Sequence, residues 1–71
     1  MKYRKAEIRR FNNAIEHIRE SLAEDTHDFW SALFCSGITF LDDIERFCGY
    51  ASQIGALDIS EVILKEHPEF I

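Results

Sequence analysis

Apolar residues recur at intervals of three and four along the chain, and no stretch alternates with a period of two over strand length. The pattern predicts an all-α protein, a helical hairpin of two long helices with a short C-terminal helix, in effect a three- to four-helix bundle. Ile8, Phe11, Ile15, Ile18 and Leu22 place a single narrow stripe on a first helix running from about Tyr3 to about Glu24. Asp25 or Thr26 can cap the next helix, which begins near Asp28.

From Phe29 onward the residues Trp30, Leu33, Phe34, Ile38, Phe40, Leu41, Ile44, Phe47, Cys48, Ala51 and Ile54 cover about half a helical circumference when advanced by roughly 100° per residue. Because this phase survives Gly37, one long helix to about Ile54 is expected. The alternative is a break at Ser36-Gly37 with Thr39 capping a new helix. Gly55 suits a C-cap. A last helix starting at Asp58 or Ser60 would carry Ile59, Val62 and Ile63 inward and stop at His67, before Pro68.

A narrow stripe cannot cover a half-circumference face, and the short last helix adds only a few side chains. Apolar surface is therefore left over, and such surface marks interaction sites. A homodimer or a tightly held protein partner is expected, with Ile8, Phe11, Ile15, Ile18 and Leu22 as the dimer interface.

The length of 71 residues holds one domain, residues 1–71, and a chain of this size buries only roughly 60% of its unfolded surface. A partner subunit would supplement that stability. No apolar run approaches the ~20 residues that span a bilayer, and Met1-Lys2-Tyr3-Arg4-Lys5 leads into a charged segment rather than a signal sequence, so a cytoplasmic protein without membrane contact is expected. Cys35 and Cys48 have no CxxC spacing and no histidine pair nearby, which points to free thiols rather than a disulfide or a zinc site.

The formal net charge is -5, unevenly placed. Residues 1–10 hold Lys2, Arg4, Lys5, Arg9 and Arg10 against Glu7, a surplus of +4, and the remainder carries Arg19, Arg46 and Lys65 against twelve acids, a balance of −9. On the first helix Glu16, Glu20 and Glu24 form a row of like charges one turn apart, approaching its negative end. An antiparallel pairing of two copies would set Arg9 and Arg10 beside Glu20 and Glu24, which favours an antiparallel dimer.

The same N-terminal bases, Lys2, Arg4, Lys5, Arg9 and Arg10, could touch phosphates in a small DNA-associated regulator. Ala51-Ser52-Gln53-Ile54-Gly55 followed by Asp58-Ile59-Ser60 resembles the first helix and turn of a helix-turn-helix. Its second helix, however, offers Glu61 and Glu66 with a single Lys65, and would repel a phosphate backbone. An acidic DNA mimic needs only rows of carboxylates.

Chemistry is sparse. Glu24-Asp25-Thr26-His27 has the ExxH spacing of di-metal carboxylate helices, with Glu20 one turn earlier, but a bundle site needs a second set of ligands, here from across a dimer. The serines lack a nucleophile elbow, His17, His27 and His67 are scattered, and no glycine-rich loop could cradle a phosphate. A non-enzymatic protein without metal or cofactor is expected. Tyr50 is placed on the polar face with Asp43 and Arg46. Phe29 and Trp30 point about 100° apart, so only one can occupy the core. With Glu16, Glu20 and Glu24 these aromatics are the expected contacts of an inhibitor, adaptor or regulatory subunit.

Overall fold

The computed structural model describes residues 3–20 and 26–70. Among these residues four α-helices follow one another: α1 (Lys5–Glu20), α2 (Thr26–Cys35), α3 (Leu41–Gln53) and α4 (Leu57–Glu66). A 3-10 turn, Pro68–Phe70, closes the series. Among the described residues there is no strand, so the all-helical class follows the hydrophobic period. The chain divides into two compact units, Met1–Ile38 and Thr39–Ile71.

In the first unit α1 packs on α2. The α1 start is held by half of a capping box: Glu7, at the third helical position, accepts a bond from the Arg4 backbone N–H at 3.1 Å, while the Arg4 carbonyl accepts from Ile8 at 2.9 Å. Phe11, Ala14 and Ile18 are the buried residues of α1, and Phe29 and Leu33 those of α2. Tyr3 meets the Phe11 ring edge-on, centroids 6.0 Å apart.

The expected long helix is not formed. It ends at Cys35, and α3 begins only at Leu41. The cause is a Schellman motif built on Gly37. That residue stands at φ +86, the Gly37 N–H bonds the Phe34 carbonyl at 3.0 Å, and the Ile38 N–H bonds the Leu33 carbonyl at 3.3 Å. These bonds use carbonyls that the end of α2 would otherwise leave free. The apolar contact that accompanies the motif comes from Leu33 and Ile38, both fully buried. Ser36 reinforces the exit by donating its hydroxyl to the Ala32 carbonyl at 3.1 Å. The next helix is not capped by Thr39. Phe40 occupies the N-cap with extended backbone (φ -85, ψ 150) and makes no side-chain cap bond.

In the second unit α3 packs on α4. The same motif recurs at the end of α3, as the glycine pattern predicts. Gly55, at φ +84, bonds the Ser52 carbonyl at 3.2 Å, and the Ala56 N–H bonds Ala51 at 2.8 Å, with Ala51 and Ala56 both buried. Ile44, Phe47, Cys48, Tyr50 and Ala51 of α3 and Ile59, Ser60 and Ile63 of α4 are buried; Val62 is half-buried. Buried Ser60 satisfies its hydroxyl on the Leu57 carbonyl at 3.2 Å, and its own carbonyl lies 3.9 Å from the Cys48 thiol, which donates to it. α4 starts at Leu57, one residue before the earliest expected start, and stops at Glu66 with His67 as C-cap before Pro68.

Candidate partner-binding surfaces

The α1 stripe is not free to close a dimer. Phe11 and Ile18 are buried within the chain, and Ile8 and Ile15 are half-buried, because α1 lies against α2. Leu22, the fifth member, lies outside the described residues. A dimer through this stripe would require α1 to part from α2.

Tyr50 is also corrected. It is only 7% exposed and belongs to the buried face of α3, beside Phe47 and Ala51 in the helical order. On one continuous helix Trp30 and Phe34 would help set the centre of the apolar face and leave Tyr50 on the opposite, polar side, but they belong to a different helix. With those removed, the centre shifts toward Phe47 and Ala51, and Tyr50 falls on its margin. Of the adjacent aromatics, Phe29 takes the core and Trp30 is left half-buried. Phe29 therefore offers no outward contact.

Trp30 meets Phe29 edge-on at 5.3 Å between centroids and lies 6.2 Å from Phe34, one turn along α2. Phe34 itself is 48% exposed. Trp30 and Phe34 thus form an aromatic margin on α2, the kind of rigid, large-area contact that anchors protein partners. Glu16 and Glu20 are exposed on α1, as their spacing predicts, whereas Glu24 lies outside the described residues.

Four further large apolar side chains stand in solvent: Phe40 at 74%, Leu41 at 54%, Ile54 at 50% and Leu57 at 62%. On a continuous helix Phe34, Phe40, Leu41 and Ile54 would share one apolar half of the circumference. The break at Gly37 resets the helical phase and leaves them at helix ends. Leu57 carried no sequence signal beyond its apolar nature.

Arg4, Lys5 and Arg9 are exposed, and Arg10 is half-buried, its guanidinium carbon 5.8 Å from the Phe11 ring centroid and its Cδ 3.5 Å from the point where a Cβ on Gly37 would stand. Arg10 therefore covers the first unit's core with its stem. Lys2 lies outside the described residues.

The histidines do local structural work. Ser36 Oγ and His17 Nδ1 are 3.1 Å apart; since the hydroxyl hydrogen goes to Ala32, the ring nitrogen donates to Ser36 in this arrangement. His67 stacks on the Phe70 ring with centroids 5.0 Å apart, and its Nδ1 lies 3.2 Å from a Glu69 carboxylate oxygen. Glu69 is held below the usual carboxylate range by a backbone hydrogen bond first and by the His67 hydrogen bond second.

Both cysteines are free, Cys35 exposed and Cys48 buried. Burial pushes the Cys48 thiol up, and the nearby Glu45 charge adds to that. Among the described residues no three His, Cys, Asp or Glu side chains gather as metal ligands, and Glu24 of the ExxH spacing is not among them. No described helix is long and apolar enough to cross a membrane. Comparison with protein-family models, with curated proteins and with solved structures finds no match to this chain.

Proposed function

We propose that this chain is a non-enzymatic protein-binding module, acting as an inhibitor, adaptor or regulatory subunit. One observation carries the reading: Phe34, Phe40, Leu41, Ile54 and Leu57 stand about half exposed or more on a chain of 71 residues. Covering the exposed half to three-quarters of one such side chain gains about 1–2 kcal/mol, so a partner that seats two or three has a substantial driving force. The local chemistry supports the reading as well. Phe40 sits at an N-cap, where Ser, Thr, Asp or Asn would add about 1 kcal/mol to the helix. A large aromatic at 74% exposure serves neither the cap nor the core, and departures from local preference of this kind concentrate at functional sites.

The test is capture from the native lysate by tagged protein, with and without nuclease, beside variants Phe40→Ser and Leu57→Ser. A protein held in stoichiometric amount after nuclease, and lost with either variant, is the expected result. Absence of any such protein, or capture indifferent to both variants, refutes the reading. A light-scattering mass on the same preparations reports whether the partner is a second copy.

A further inference from the structure

We propose that the α3–α4 end bearing Ile54 and Leu57 docks a cationic, amphipathic protein segment; this rests on the protein-binding reading and names the chemistry of its partner. Ile54 (50% exposed) and Leu57 (62%) bracket the turn between the helices. Along α4, Glu61 and half-buried Leu64 follow Leu57 at spacings of four and seven, so the three share one edge of the helix. The result is an apolar row interrupted by a carboxylate. Leu57 is also the first residue of α4, behind an N-cap, Ala56, that makes no side-chain cap bond. A polar residue there would leave the buried Ile59, Ser60 and Ile63 undisturbed, so the fold itself gives no reason for a leucine.

Charge selects the occupant. Residues 39–71 carry Asp42, Asp43, Glu45, Asp58, Glu61, Glu66 and Glu69 against Arg46 and Lys65, a balance of −5. All of these acids but half-buried Asp43 are exposed, and Lys65 is the one exposed base among the described residues of this unit. Two copies meeting through this face would bring like charge together. Nucleic acid and anionic lipid surfaces are repelled for the same reason. A segment with apolar residues on one side and Lys or Arg beside them satisfies both the leucine row and its carboxylates, and electrostatic complementarity of that kind sets specificity and association rate.

The probe is a synthetic amphipathic peptide of leucine and lysine of about 14 residues, four turns of helix, compared with one in which every lysine is glutamate. Saturable binding of the lysine peptide, none of the glutamate peptide, and weakening as salt rises are expected. Leu57→Ser should weaken binding about tenfold, the effect of losing the 62% of the leucine side chain that a partner would cover, and Glu61→Gln should reduce the salt dependence. Ile54→Ser gives a second, independent loss, with helix content checked by circular dichroism. No binding of the lysine peptide overturns the proposal, as does binding that ignores both apolar substitutions and so reflects charge alone. Self-association abolished by Leu57→Ser would assign the face to a second copy and overturn it too. If Leu57-dependent capture from lysate persists while the lysine peptide fails to bind, the cationic partner is wrong and the protein-binding reading stands.

Discussion

Replacing each of the three glycines by alanine tests the break between α2 and α3 through the sign of the effect. Gly37 and Gly55 stand at φ +86 and +84, where an L side chain costs roughly 1–2 kcal/mol. Against this, alanine restricts the unfolded chain and returns about 0.4–1 kcal/mol, leaving a net destabilisation of about 1 kcal/mol at each site. Sterics add little, because a Cβ on Gly37 would meet the Arg10 Cδ at 3.5 Å, an ordinary contact, and one on Gly55 would meet nothing within 4 Å. Gly49 lies inside α3 and is exposed, so alanine there should stabilise by about 1 kcal/mol. Each kcal/mol moves the melting temperature of a domain this small by about 4–8 °C. Thermal unfolding followed by helix ellipticity, with the single Trp30 as a local reporter in the first unit, should show Gly37→Ala and Gly55→Ala melting lower and Gly49→Ala higher. If Gly37→Ala rises with Gly49→Ala, the helix runs through residue 37 and the four-helix description is wrong.

Tyr50→Ala should cost about 3 kcal/mol in urea unfolding, as large buried side chains do, whereas Leu57→Ser should stay within about 0.5 kcal/mol; equal stabilities would place Tyr50 on the surface. A thiol reagent should label Cys35 quickly and Cys48 only as the protein unfolds, because burial both shields Cys48 and disfavours its thiolate; simultaneous labelling would contradict the buried site. Glu69 has a depressed folded pKa, so its stabilisation of the C-terminal turn is fully present above the ordinary carboxylate value of 4.5 and is lost as pH falls through the lower folded value. The Phe70 ring resonances should therefore hold their shifted positions near neutrality and move toward unfolded values only as pH falls below that ordinary carboxylate value; movement well above it would show that Glu69 does not control the turn.

Helicity, the inward set on α4 and the Gly55 exit were legible because each rests on local pattern. Ile59 and Ile63 repeat at helical spacing, and a glycine followed by a small apolar residue is a local stop signal. The Gly37 exit carried the same signature, Leu33 and Ile38 flanking the glycine at the motif's spacing, but a helical phase extended across it outweighed it. Phase continuity across a break is accidental, since any two amphipathic helices can share it over a few residues. From that single choice followed the placing of Phe34, Phe40 and Leu41 on one apolar face and of Tyr50 on the polar face. The candidate surface was legible only as a surplus: face widths foretold exposed apolar area, while its location depended on where the helices end. The α1 stripe, conversely, could not reveal whether α2 or a second copy would cover it, because both present similar apolar side chains.

The pairing of α1 with α2 and of α3 with α4 joins helices that are neighbours in the chain, the second pair across the three residues between Gln53 and Leu57. Short closures of this kind have a small entropic cost, and helical proteins dominated by local contacts fold on the microsecond to millisecond scale. Synthesis at about 5–20 residues per second is far slower. Residues up to Ile38 contain everything the pairing of α1 with α2 needs, so once they have left the ribosome the apolar stripe of α1 is covered without waiting for α3 to pair with α4.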